Sequence, residues 1–255
     1  CDIEDYVAGV VKAEGGTGKS EEYFKTQAVI TRTYTYRNFK RHITDRYNLC
    51  DGTHCQVYRG ISADSIINSA MHHTAGRVIV DTDSILIISA FHSNCGGETS
   101  PSEYVWVISV PYLTSVKDPY CTSSPNATWE KKVSVREWKN ILIANGYTDG
   151  TENSSQFTFS QNSRTMHYTT GSFRIPFYVL RNALGLRSAW FSVYDAGDSL
   201  ILKGRGYGHG VGLCQEGAMV MANKGINYED IIKFYYPDTR IIDIRSAKMP
   251  VEIKK

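Results

Sequence analysis

The sequence predicts an α+β fold: a mixed helix and antiparallel-sheet core with an inserted smaller subdomain. Three observations carry this. Helical and strand-like periodicities alternate unevenly along the 255 residues, without the regular strand–helix rhythm of a parallel sheet. Between about residues 111 and 187 the texture turns polar and rich in Ser, Thr and Asn, then reverts. Beyond the reversion, five glycines alternate with other residues over 204–212, a pattern of extended chain with one bare face. The division expected is a core of residues 1–110 and 188–255, with 111–187 inserted.

Each element has its own local signal. Ile3, Tyr6, Val7, Val10 and Val11 recur at helical spacing, and Gly15-Gly16 stop that helix. Ser20 is the N-cap of a second helix, with Glu21 and Glu22 in its first turn, running to about Arg41. A loop through residues 49–58 leads to a third helix over about 63–74 that ends at Gly76. Residues 77–80 and 85–90, joined by 81–84, read as a hairpin that delivers 92–97 as a loop. Within the polar stretch, 134–145 is a helix closed by Gly146, and another follows Pro176 and ends at Gly185. Strands at 189–194 and 200–203 flank a turn at Gly197-Asp198. Helices near 214–223 and 228–235 and a strand at 240–244 complete the chain.

Composition narrows the function. A net charge of +2 without basic blocks argues against a nucleic-acid surface. No apolar stretch approaches the ~18 residues that span a membrane, so membrane attachment is expected only through an anchor outside this chain. The 17 Tyr and 4 Trp offer faces for sugars or peptides, and also fill cores. The chain starts at Cys1 without Met, which reads as a processed or trimmed start, with Cys1 either a lipidated terminus or simply the first residue. Six cysteines suit an exported protein with bridges or a metal site.

Glu14 is the first candidate for chemistry. Ile3, Val7, Val10 and Glu14 step by four, three and four, which puts the carboxylate on the buried stripe in the helix's last turn. Burial and the negative end of the helix dipole both disfavour a second negative charge, so a raised pKa is expected, as a general acid requires. Arg32 lies on the ladder of Phe24, Ala28 and Tyr36. There it wants a carboxylate or a bound anion, in a structural ion pair or in substrate binding. Cys50 and Cys55 with His54 between them suit a zinc site or a small disulfide loop; adjacent His54 and Cys55 can both ligate only if the loop bends sharply, and otherwise His42 or Glu14 is the third ligand. His92 and His209 stand at strand ends beside glycines, where sites are often built. Arg205, Tyr207, His209 and Val211 would line the side-chain face of the glycine run if it is extended. No dinucleotide fingerprint, Walker A, H-E-x-x-H or G-x-S-x-G is present.

Five segments occur together in a fixed order. They are Tyr6-Val7-Ala8-Gly9-Val10-Val11-Lys12-Ala13-Glu14, residues 26–34 with Gln27 and Arg32, Cys50-Asp51-Gly52-Thr53-His54-Cys55-Gln56-Val57-Tyr58, Phe91-His92-Ser93-Asn94-Cys95-Gly96-Gly97, and the glycine run followed by Gln215. Together they resemble the stage II sporulation protein D (SpoIID) family, which includes amidase-enhancer proteins. The resemblance implies a lytic transglycosylase that cleaves the MurNAc–GlcNAc bond of peptidoglycan and closes a 1,6-anhydro ring. It places the catalytic acid on Glu14 and an active-site arginine on Arg32. It implies a zinc near the site held by Cys50 and Cys55, to which the residue reading adds His54. Gln27, Gln56, Tyr58, His92, Arg205, Tyr207, His209 and Gln215 are expected along the sugar path. Gly15-Gly16 stand where the family usually has Met-Pro, which alters the groove wall beside the acid. The expected place of action is extracytoplasmic, on glycan strands. Two other readings stay open: a non-catalytic glycan-binding activator of a cell-wall amidase, and a zinc hydrolase acting on stem peptides.

Overall fold

The computed structural model describes residues 2–16, 19–148 and 153–250. Cys1, and with it the lipidated-terminus reading, lies outside them. In chain order the helices are α1 (Ile3–Gly15), α2 (Glu21–Arg37), α3 (Ser65–His73), α4 (Glu103–Trp106), α5 (Val135–Ala144), α6 (Phe177–Leu184), α7 (Gln215–Asn223) and α8 (Tyr228–Tyr235). The strands are β1 (Arg77–Val80), β2 (Phe91–His92), β3 (Thr128–Ser134), β4 (His167–Thr170), β5 (Phe173–Pro176), β6 (Phe191–Asp195), β7 (Ser199–Arg205), β8 (Leu213–Cys214) and β9 (Arg240–Asp243). The class is α+β, with small, mainly antiparallel sheets. The chain divides into two compact units, residues 1–90 with 218–255, and residues 91–217. The second unit therefore takes in the polar stretch at 111–187 together with both of its apolar flanks. Composition registers the polar part, but the flanking strands pair within the same unit.

In the first unit, Asp2 caps α1 by accepting the Glu4 N–H, and Val7, Val10 and Val11 are buried. Ser20 caps α2 as its sequence position predicts. The helix stops at Arg37, four residues short of expectation, where the Asn38 side chain and N–H both turn back onto the Tyr34 carbonyl. The hairpin expected at 77–90 is reduced to a bridge between Val80 and Leu86. The ladder of β1 is instead with β9, antiparallel, from Arg77 opposite Asp243 to Val80 opposite Arg240. Residues 85–90 are tied down otherwise: Ser89 Oγ donates to the Ile30 carbonyl, and Leu86 and Ile87 are buried.

In the second unit the antiparallel sheet has the order β3-β7-β6. Trp138 of α5 meets Tyr168 and Phe191 edge-on, and Phe177, Leu200 and Leu202 complete the core. β3 carried no readable strand pattern, since only Val133 of its seven residues is buried. It forms because all seven residues find partners along β7. The glycine run is not a continuous strand. β7 ends at Arg205, and Gly206, Gly208, Gly210 and Gly212 take φ of 80, 111, 85 and 72°. The bare face still serves close approach: a Cβ at Gly206 would come within 2.6 Å of the Asn94 carbonyl oxygen. There Asn94 and Tyr207 exchange two main-chain hydrogen bonds, at 3.0 and 2.8 Å.

Candidate functional site

In the first unit a polar site forms where the end of α1, the middle of α2 and the loop before α3 meet. Glu14 is half-buried in the last turn of α1, and its Oε1 accepts the Val57 N–H at 2.8 Å. The loop reaches α1 because Gly9 leaves room for it. A Cβ there would lie 2.4 Å from the Tyr58 ring and 2.5 Å from the Gly60 carbonyl. Tyr58 stacks on Tyr6 with ring centroids 5.2 Å apart. On the α2 side, Gln56 Oε1 accepts from Thr35 Oγ1 at 3.1 Å, while Gln56 Nε2 is buried without a partner. Gln27 is fully buried, and neither its Oε1 nor its Nε2 has a hydrogen-bond partner. Its Cγ would be 3.8 Å from a Cβ at Gly15, the residue after the acid. A buried amide without partners costs about 1–3 kcal/mol, so Gln27 has hydrogen-bonding capacity that the structure leaves unused. The structure thus brings Glu14, Gln27, Gln56 and Tyr58 into one unit of the fold.

Arg32 goes elsewhere. Its buried guanidinium makes a two-pronged pair with Glu4, Nε to Oε1 at 2.7 Å and Nη2 to Oε2 at 2.5 Å, and Nη1 donates to the Arg77 carbonyl at 3.1 Å. Glu4 and Glu14 are ten residues apart on α1, about 15 Å along its axis. Of the two roles the sequence left open, the geometry observed is that of an ion pair fixing the start of α1 against α2. Glu4 carried no signal, because an exposed first-turn acid is also what a helix dipole favours.

Beside this site, four donors converge: His42, Cys50, His54 and Cys55, each ligand atom within 4.8 Å of the others. Cys50 Sγ and Cys55 Sγ stand 3.8 and 3.9 Å from His54 Nδ1, and His42 Nε2 stands 3.3 Å from it. Two thiols and two imidazoles at this spacing suit a four-coordinate zinc, and the sulfurs are described as unbridged. Asp45 Oδ2 holds His42 Nδ1 at 3.0 Å, the placement of an outer carboxylate that would orient the ring toward a metal. The Gly52 N–H, followed by His54, pushes the Cys50 thiol down to about 6. His42 completes the set that Cys50, Cys55 and His54 began. The pair Cys55 and Val57 puts this cluster two residues from the donor that holds Glu14.

The second unit gathers the remaining predicted residues. His92 is buried; its Nδ1 donates to the Val211 carbonyl at 3.1 Å, and its Nε2 is without a partner. His209 Nδ1 accepts the Val211 N–H at 3.0 Å, so its proton sits on Nε2. The two rings are 5.5 Å apart, and the Trp106 ring stands 5.7 Å from His209. Burial, then His209 beside His92 and Arg181 beside His209, disfavours a charge on both rings: His92 is held well below the usual imidazole range and His209 is pushed down to about 4. Arg205 lies over Trp190 at 5.2 Å, Tyr207 is exposed, and Gln215 is buried at the start of α7. Trp106 was invisible in the sequence, because a four-residue helix has too few turns to show a period.

Comparison with known proteins agrees with the motifs. The family model described as "Stage II sporulation protein" (SpoIID) matches residues 1–80. An uncharacterized protein of Brachyspira hyodysenteriae is 33% identical over 98% of this chain and 69% of its own length. The stage II sporulation protein D of Bacillus subtilis is 30% identical over 94% of this chain and 74% of its own. The amidase enhancer of Bacillus subtilis is 29% identical over 91% of this chain, which spans 40% of that protein.

Proposed function

This chain belongs to the SpoIID family, and on that premise we propose that it is a lytic transglycosylase acting on peptidoglycan glycan strands outside the cytoplasm. The observation that carries the reading is the half-buried Glu14, held by the Val57 N–H beside the unpartnered amide of Gln27. Glu14 protonates the oxygen bridging MurNAc C1 and GlcNAc O4. The C1–O4 bond breaks toward an oxocarbenium ion, and GlcNAc leaves with a free 4-hydroxyl. The Glu14 carboxylate then takes the proton of the MurNAc 6-hydroxyl as O6 bonds to C1, closing the anhydro ring and restoring the acid. One carboxyl group serves both steps, because the nucleophile is the sugar's own hydroxyl and no second carboxylate has to activate water.

Gln27 and the Gln56 amide nitrogen supply hydrogen-bonding groups for the acetamido and hydroxyl groups of the sugar, and Tyr58 supplies an aromatic wall. Arg32 acts through Glu4 on the placement of α1. His42, Cys50, His54 and Cys55 would hold a zinc, which would supply structure by fixing the segment that leads directly into Gln56, Val57 and Tyr58. His92, Arg205, Tyr207, His209 and Gln215 are assigned to further sugar contacts on the second unit.

The test is incubation of the purified protein with purified sacculi and mass analysis of what is released. Anhydro-muropeptides from the wild type and none from Glu14→Gln support the reading. Intact strands with the wild type sink it. The second reading is a non-catalytic glycan-binding activator of a cell-wall amidase. It is favoured by the amidase-enhancer name of one relative and by an arginine committed to an ion pair. Stimulation of an added amidase to the same extent by wild type and Glu14→Gln, without anhydro products, would select it.

A further inference from the structure

Four side chains of the second unit that the proposed reaction does not use meet in one buried place. Cys95, Asp118, Cys121 and Cys214 are each 0% exposed, and one donor atom from each lies within 4.8 Å of the other three. Cys95 Sγ is 3.3 Å from Cys121 Sγ and 3.2 Å from Asp118 Oδ2. A zinc tetrahedron with sulfur arms of about 2.3 Å has edges of about 3.8 Å, so the donor separations, from 3.2 Å up to at most 4.8 Å, lie within about 1 Å of those that close on an ion. From this convergence we propose that Cys95, Asp118, Cys121 and Cys214 form a second metal site, which takes zinc through three thiolates and one carboxylate.

The surroundings are those of a thiolate site. Cys214 Sγ accepts the N–H of Cys95 at 3.2 Å and of Gly217 at 3.4 Å. It also precedes α7 directly, at the positive end of that helix. Asp118 is oriented by the Tyr120 N–H, which donates to Oδ1 at 2.8 Å and leaves Oδ2 on the sulfur side. The Arg164 guanidinium lies alongside, donating to the main-chain oxygens of Cys95 and Glu98, both at 2.7 Å. Three thiolates, a carboxylate and a divalent cation sum to two negative charges, and Arg164 offsets one of them.

A simple disulfide explains less. A Cys95–Cys121 bond would leave the buried Cys214 thiol surplus and would give the fully buried Asp118 carboxylate, 3.2 Å from the Cys95 sulfur, no role in the bridge. With a metal, all four groups have a use. Thiolate donors select a soft ion such as zinc over calcium or magnesium. Binding would require all three sulfurs as thiolates. It would pin three chain segments distant in sequence; Cys95 follows β2, which contains His92, and Cys214 lies in β8, which follows the glycine run and pairs with β2.

The inference stands apart from the transglycosylase reading and is tested without any activity assay. Metal analysis of a Cys50→Ser/Cys55→Ser variant removes the first cluster from the count. One zinc per chain is expected to remain, and adding Cys121→Ser with Asp118→Asn is expected to bring it to none. Zinc unchanged by those additions overturns the proposal. So does a disulfide-linked peptide joining Cys95 to Cys121 in a non-reducing digest. Should the combined variant fail to fold, zinc-edge anomalous diffraction from crystals of the unaltered chain decides: a peak among the four donors supports the site, and its absence there overturns it.

Discussion

Val57 donates its main-chain N–H to Oε1 of Glu14 at 2.8 Å, so the acid at the end of α1 is oriented by a loop whose preceding residues form the Cys50–Cys55 cluster. Because the donor is main chain, Glu14→Gln keeps this bond through its amide oxygen but has no proton to give. Release of anhydro products should fall by at least about 10²-fold, the range for loss of a general acid, with the melting temperature nearly unchanged. A Gln variant as active as the wild type would falsify the assignment.

Glu4→Gln should act on stability and spare the chemistry. It leaves the Arg32 guanidinium buried and uncompensated, a change that costs about 3–5 kcal/mol. Denaturant unfolding should show that loss. The specific activity of the folded fraction should match the wild type; a fall in turnover at unchanged stability would instead return Arg32 to the reaction.

Gln27→Met should exchange function for stability. Removing an amide buried without partners raises stability by about 1 kcal/mol. The same change should raise KM for glycan strands more than it lowers kcat. A less stable Met variant would mean that the amide is satisfied in the free protein.

The neutral pair His92 and His209 gives the protein an acid sensitivity of defined sign. Both rings are held below the value near 6.5 they would have in an unfolded chain, His209 at about 4. Within the window from 6.5 to 4 the unfolded chain binds more protons. Stability is therefore full above pH 6.5 and falls as pH drops, by about 1 kcal/mol per unit for each ring. Urea unfolding at pH 7 and pH 5 measures it, and His209→Gln should flatten the difference. Equal slopes in the wild type and this variant would show that His209 is not the sensor.

Asp45→Ala should weaken zinc at the first cluster by about 10- to 100-fold while leaving all four donors in place, because His42 loses the carboxylate that orients it. Competition with a chromophoric chelator reads this directly. An unchanged affinity would place His42 outside the ligand set.

Much of this was legible in local sequence. The cap at Ser20, the helix end at Gly185 and the buried stripe of α1 are decided within a few residues, and five segments taken together, in order, pointed to the family. Partners chosen over long separations were not legible. β1 pairs with β9 rather than its neighbour, β3 is a strand only because β7 is beside it, and Arg32 turned to Glu4 rather than to the acid.

By itself, then, the chain's order of residues determined its helices, its mixed class and the acid on which the proposed chemistry depends, because periodicity and capping act over one or two turns. Tertiary structure alone decided that Cys95, Cys121 and Cys214 meet, what Arg32 neutralises and which amides stay unpaired. Those outcomes depend on burial and on close approach between segments far apart in sequence, and no local pattern encodes them.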